Sequence, residues 1–262
     1  FGFIDFPTGF IRKVPALTKK KSISIFVSAY NEAENLLDCV LGITAAAEAQ
    51  FEDYEVIIVN DGSTDGTGEV AEGLRQDNGR IRVIHNPGNL GFARSFCISV
   101  EEAEKEFYAF FPGDGEIAAS SVAEIISLAG TADIIAPYHD NSDDRSLMRQ
   151  AMSRTCSHLT NFLLGYNLRY YQGPPVYRTA DLKLLPKKTP SLFLLTEMMV
   201  HALYAGRSYK EIGFVFEERK HGESKAVSIK NIWIAFYAIL RLCWDIRIRK
   251  TPPIELPERG GK

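Results

Sequence analysis

Ile23-Ser-Ile-Phe-Val-Ser-Ala-Tyr30 runs into Asn31-Glu32, and Glu55-Val-Ile-Ile-Val-Asn60 runs into Asp61-Gly62-Ser63-Thr64-Asp65-Gly66. A third apolar run, Phe107-Tyr-Ala-Phe-Phe111, runs into Pro112-Gly113-Asp114-Gly115-Glu116. Short, unbroken apolar runs of this kind read as strands covered on both faces. The pattern predicts strands over 23–28, 55–60, 81–84, 107–111 and 134–136, separated by helices over about 32–50, 65–76, 91–104 and 120–129. Such alternation implies an α/β fold with a mostly parallel central sheet flanked by helices. The three acidic loops then meet at one edge of that sheet, where open α/β sheets bind ligands.

The rest of the chain is read outward from these strands. Residues 1–22 form an arm with Pro7, Pro15 and Lys19-Lys20-Lys21. Beyond residue 140 the pattern predicts helices over 145–164, 191–205 and 228–245, a break at Gly173-Pro174-Pro175, and a strand from Tyr209 to Phe216. Thr251 to Lys262 reads as a loose tail. With 262 residues and 45% apolar content, the chain builds one large domain or two small ones. A net charge of −3 gives no field for nucleic acid. Cys39, Cys97, Cys156 and Cys243 are scattered, with no CxxC or Cys/His pairing. They read as buried thiols in a reducing compartment, not as a zinc site. The first residues carry no secretory signal pattern, and no apolar run reaches the roughly 18 residues that cross a bilayer.

Asp114 and Glu116 stand two apart on a turning backbone, which lets two carboxylates converge on one hard cation. Mg²⁺ or Mn²⁺ held by carboxylates and diphosphate oxygens fits that pair and would stabilise a leaving diphosphate. Gly113 and Gly115 let the backbone approach a ligand, although Gly and Asp are also ordinary turn formers. The Asp61 carboxylate offers acceptors to a base or ribose. Asp61-Gly-Ser-Thr-Asp-Gly lacks the closing Glu and preceding helix of a calcium loop, and also reads as a Ser/Thr-capped helix start. Asn31 with Glu34 three residues on reads as a capping box. Asn86-Pro-Gly-Asn-Leu-Gly91 is a Gly-rich turn feeding a helix, a site type that binds anions.

Taken in order, Ser28-Ala29-Tyr30-Asn31-Glu32, Val59-Asn60-Asp61-Gly62-Ser63-Thr64-Asp65-Gly66-Thr67, Asn89-Leu90-Gly91-Phe92-Ala93 and Asp114-Gly115-Glu116 resemble the motifs of family 2 glycosyltransferases with the GT-A nucleotide-sugar fold. The resemblance covers residues 23–140. Arg219-Lys220-His221-Gly222-Glu223-Ser224-Lys225, with Arg145 and Arg149, makes the chain most similar to polyprenyl-phosphate glycosyltransferases such as dolichyl-phosphate mannose synthases. The resemblance implies that Ala29, Tyr30, Glu32, Asp61, Gly91, Gly113, Asp114 and Ser224 line the nucleotide-sugar site. It implies that Asp114 and Glu116 hold Mg²⁺ or Mn²⁺, and that Arg219 and Lys225 bind phosphates. Two features depart from the family: Glu116 replaces its second Asp, and Tyr171-Gln172-Gly173-Pro174-Pro175 replaces its Thr-Ser-Gly-Phe-Arg segment.

These readings divide the chain into a glycosyltransferase domain over 1–225 and an interface helix with its tail over 226–262. Within the first, 23–140 is the nucleotide-sugar half and 141–225 the acceptor half. Arg145 and Arg149 share one helix face and can fork onto an acceptor phosphate. The last helix is too short to span a bilayer and is interrupted by Arg241. Trp233 and Trp244 near its ends, followed by Arg247, Arg249 and Lys250, suit a helix lying at the cytoplasmic face of a membrane; a core-docked final helix is the alternative. The expected activity is inverting transfer of a sugar from a UDP- or GDP-sugar to a lipid phosphate, a nucleophile already ionised. A sugar-hydroxyl acceptor would need a base, and Glu197, with His201 four residues on, is the candidate. A non-catalytic nucleotide-sugar or lipid-binding module is the alternative from another class. A nucleotidyltransferase is disfavoured because Ser28 to Glu32 lacks a basic Gly-rich loop.

Overall fold

The central strands are built from residues that alternate between two apolar layers. The computed structural model describes residues 20–140, 147–216 and 229–258. In β1 (Lys20–Ala29), Ile23, Ile25 and Val27 join one core while Phe26 joins the other. In β2 (Phe51–Asn60), Val56 and Ile58 point one way and Ile57 and Val59 the other. β4 (Phe107–Pro112) sends Phe107, Ala109 and Phe111 to the first core and Tyr108 and Phe110 to the second. Both faces of each strand are therefore covered, which is why the runs are apolar without a break.

The first layer comprises α1 (Leu36–Gln50), α2 (Thr67–Asp77) and α4 (Ala119–Ser127). The second comprises α3 (Phe92–Glu102), α6 (Thr179–Leu184) and α7 (Leu194–Tyr204), with the ends of α5 (Leu147–Leu164) and α8 (Ile229–Cys243). β3 (Ile81–His85), β5 (Ile134–His139), β6 (Val176–Arg178) and β7 (Tyr209–Phe214) complete one seven-stranded sheet in the order β3-β2-β1-β4-β6-β5-β7. Only β6 runs against its neighbours.

The sheet differs from expectation at its small pieces. β6 has three residues, too few to show a period, and α6 follows it directly. The helix after β1 starts at Leu36 with no side-chain cap; the Asn31 side chain instead accepts from Thr64 N at 2.9 Å, so no capping box forms. The tail, up to Glu258, is not loose. Tyr204 donates its hydroxyl to Thr251 O at 3.0 Å, and Arg207 donates to Pro257 O at 2.5 Å while forking onto buried Asp181. Leu256 packs on the second core. Proline fixes the tail's backbone, which lowers the entropy lost on docking. No helix among the described residues is long and apolar enough to cross a membrane.

Candidate functional site

Strand register brings the motif loops together. Ala29 pairs with Asn60, Ser28 with Pro112, and Asn60 with His85, so β1, β2, β3 and β4 end nearly flush. The loops that follow are stitched to one another by their polar side chains.

Asp61 is buried, and its N–H donates to Ala29 O at 2.8 Å. Its Oδ1 accepts from Asn86 Nδ2 at 2.7 Å and Leu90 N at 2.9 Å, and its Oδ2 accepts from Gly91 N at 2.8 Å. A carboxylate has about four acceptor positions. Three serve the loop after β3, which leaves one on Oδ2 for a ligand. Gly62 (φ +70°) packs backbone to backbone on that loop: a Cβ there would lie 2.3 Å from Gly88 C.

Asn60 Oδ1 accepts from Ser63 N at 3.0 Å, and its Nδ2 lies 3.1 Å from His85 Nδ1. Glu72 Oε1 sits 3.0 Å from the other ring nitrogen. Asp65 accepts from Thr67 N, Thr67 Oγ1 and Ala33 N. Burial raises its pKa, but those hydrogen bonds outweigh it and hold the carboxyl below the usual range. Glu32 is buried, donates its N–H to Thr67 Oγ1 at 2.8 Å and accepts from Asn35 Nδ2 at 2.8 Å. Tyr30 is partly exposed beside them. His85 carried no recognised role in the sequence; its signal was a polar identity at the end of an apolar run.

Asp114 and Glu116 lie on one half-buried turn, with Glu116 N donating to Asp114 Oδ1 at 3.1 Å. Gly113 donates to Ser28 O at 2.9 Å, and a Cβ there would meet that same oxygen at 2.8 Å. Gly115 takes φ +70°. A cavity of about 130 Å³ opens behind the turn, lined by Glu34, Asp38, Cys39, Asp114 and Ile117 among others. Burial, and then the negative charge of Asp114, push the Cys39 thiol up to about 12. Among the described residues no three His, Cys, Asp or Glu side chains cluster as a metal cage. Two hard carboxylates beside a ligand edge fit a cation that draws its other ligands from phosphate and water.

The acceptor side is described in part. Arg149 falls in the first turn of α5, while Arg145, Arg219, Ser224 and Lys225 lie outside the described residues. Gly173 is wedged against β5: a Cβ there would lie 2.0 Å from Pro137 O. Gly173→Ala is therefore expected to destabilise the protein by about 1–3 kcal/mol through overpacking, read as a lowered Tm; an unchanged Tm would contradict the wedge. At the end of β5 the His139 ring stacks on Phe216 at 4.4 Å and lies 4.7 Å from Tyr170. Phe216 in turn bridges Ile117, the residue after Glu116.

Glu197 is only 1% exposed. Its Oε2 accepts from Lys188 N at 3.0 Å and Thr189 N at 2.8 Å, and its Oε1 accepts from Arg241 Nη2 at 2.5 Å. The carboxylate therefore ties α8 to the 188–189 loop. Burial holds the neighbouring His201 imidazole below its ordinary pKa.

The sequence profile described as Glycosyl transferase family 2 matches residues 24–182. Glycosyltransferase AglD of Haloferax volcanii is 25% identical over 248 residues, 91% of this chain and 39% of its own. An undecaprenyl-phosphate 4-deoxy-4-formamido-L-arabinose transferase of Pseudomonas fluorescens is 26% identical over 225 residues, 82% of this chain and 62% of its own. The chain thus spans less than two thirds of either relative. Glucosyl-3-phosphoglycerate synthase from Mycobacterium tuberculosis, solved with Mn²⁺ and UDP-glucose, superposes with a TM-score of 0.64 at 14% identity, covering 85% of this chain and 79% of that one. S. aureus TarS 1–349 with UDP-GlcNAc gives a TM-score of 0.60 at 17% identity over 89% of this chain and 68% of that one.

Proposed function

The chain belongs to glycosyl transferase family 2, and on that premise we propose that it moves a sugar from a nucleoside-diphosphate sugar onto a polyprenyl phosphate, with inversion, at the cytoplasmic face of a membrane. The donor half is supported by the flush ends of four strands, which carry the Asp61 loop and the Asp114–Glu116 turn on the same sheet edge, on either side of β1. UDP and UDP-sugars in the related folds support a uridine donor. The lipid half is supported by the undecaprenyl-phosphate transferase among the relatives and by Glu197, whose carboxylate is already committed.

In this reading Tyr30, Glu32 and the free acceptor position of Asp61 face the nucleoside. Asp114 and Glu116 would hold Mg²⁺ or Mn²⁺, which supplies positive charge to the diphosphate. An acceptor phosphate oxygen attacks the anomeric carbon as the bond to the diphosphate oxygen breaks. The electron pair departs with the nucleoside diphosphate. An ionised phosphate needs no proton removed, so positioning and charge stabilisation carry the reaction. Arg145 and Arg149 would orient the nucleophile, and Arg219 and Lys225 would hold phosphates.

A nucleotide panel tests the donor half. UDP with Mn²⁺ is expected to raise Tm, by about 2.7 kcal/mol of stability at a hundredfold excess over Kd. Transfer to polyprenyl phosphate, but not to the dephosphorylated polyprenol, tests the acceptor half. Absence of stabilisation by every nucleoside diphosphate, or equal transfer to both lipids, would overturn it.

A further inference from the structure

Among the described residues nothing covers the outer face of α8. Trp233, Phe236, Tyr237, Leu240 and Trp244 recur at the three- and four-residue spacing of one helix face, and Ile248 continues the row. All six are exposed, Trp233 at 67% and Trp244 at 56%. The inner face is a separate, ordinary core contact. Ala235, Ala238 and Ile239 pack with Cys156, Leu159, Leu163 and Phe193, and Leu242 and Ile246 enter the second core.

Two arginines of this segment are tied to neighbouring elements, Arg241 half-buried and Arg247 exposed. Arg241 pairs with buried Glu197, and Arg247 donates to Leu164 O at the end of α5. These two contacts fix which way the apolar row points. Exposed Arg249 and Lys250 stand with exposed Arg247 as cations at its end. Asp245, half-buried, is the only acid between Ile229 and Lys250.

We infer that this row is a docking face for the headgroup–acyl boundary of an anionic lipid bilayer, with Arg241 and Arg247 as the clamps that aim it. Aromatic side chains with polar tips, an acid-poor helix and terminal cations match that boundary. A second copy of the chain is a poorer match: six side chains on one helix fall well short of the roughly 20–30 residues per side of a standard protein interface. Placement agrees. α5 leaves the sheet after β5, at the edge that carries the Asp114 turn. The ends of α5 and α8 meet at Arg247 and their middles pack together, so α8 runs alongside α5, away from that edge. A bilayer on the row would meet the catalytic edge at the Trp233 end. The inference deepens the lipid-phosphate reading and rests on it for its purpose, while docking itself is measured separately.

The protein has two tryptophans, and both lie on this row. Vesicles of phosphatidylcholine with phosphatidylglycerol are expected to shift Trp emission to shorter wavelength and to float the protein. Brominated acyl chains are expected to quench that emission. Tyr237→Glu with Leu240→Glu, both at exposed positions, should lower flotation at least about tenfold and leave Tm unchanged. Wild-type emission that ignores vesicles, or a concentration-dependent dimer whose emission is already shifted without lipid, overturns the inference. Transfer to a short-chain, water-soluble polyprenyl phosphate separates the two claims. Docking without any transfer sinks the acceptor reading alone, and transfer without docking sinks the docking face alone.

Discussion

Asp114→Asn is expected to lower sugar transfer about 10²-fold or more in a protein that melts where the wild type does. Asn keeps the side-chain oxygen that accepts from Glu116 N, so the turn at Gly113 and Gly115 has no reason to rearrange. What it removes is one of the two carboxylates on that turn. With no third carboxylate or imidazole clustered there among the described residues, the remaining Glu116 is a weak cation site. The measurement is a pair of titrations. The extra Tm gained when Mn²⁺ is added to nucleotide should vanish in the variant, and the gain from nucleotide alone, which runs through Asp61 and its loops, should persist. Full transfer by Asp114→Asn would remove the metal from the reading and favour a module that binds donor without turning it over.

Asp114 and Asp61 were both visible in the sequence, but for different reasons. The strands that present them are continuous apolar runs, and period-two packing between two covered faces leaves few alternatives. The edge therefore followed from the order of apolar runs and the loops after them. The detailed duty of Asp61 did not, because its partners Asn86, Leu90 and Gly91 sit about thirty residues on and meet it only through the parallel crossover. The same limit hid the Asn60–His85 contact. β6 escaped notice because three residues show no period, and its antiparallel entry depends on Gly173 passing within contact of Pro137.

The C-terminal helix shows the opposite failure. Its amphipathic character was legible, but the partners of its arginines were not. Arg241 reads as an interruption of an apolar face and Arg247 as part of a basic cluster, since periodicity does not say which positions are buried. Only packing against α7 and α5 shows that Arg241 pairs with buried Glu197 and that Arg247, though exposed, bonds to Leu164 O. Glu197 is legible in the sequence either as a base or as a structural carboxylate, and its bonds to Lys188, Thr189 and Arg241 favour the second.

Those bonds give a second large effect. Glu197→Gln is expected to destabilise the fold by about 3 kcal/mol, the low end for breaking a buried ion pair, because the Arg241 side chain keeps 24% of its surface in solvent. For a chain of this length that is a fall in Tm of roughly 6–12 °C. The amide oxygen can still accept from Lys188 N and Thr189 N, but its NH₂ then faces the Arg241 guanidinium, two donors with no acceptor between them. Removing the stranded charge with Arg241→Met in the same chain should recover part of the loss, since a buried pair replaced as a unit costs less than one broken. Activity decides between the acceptor readings. Below the variant's melting range, transfer to polyprenyl phosphate should stay within a few-fold of wild type, because an ionised nucleophile has no proton for Glu197 to take. Loss of turnover in a folded Glu197→Gln protein that still binds donor would make Glu197 a general base, and the acceptor a hydroxyl.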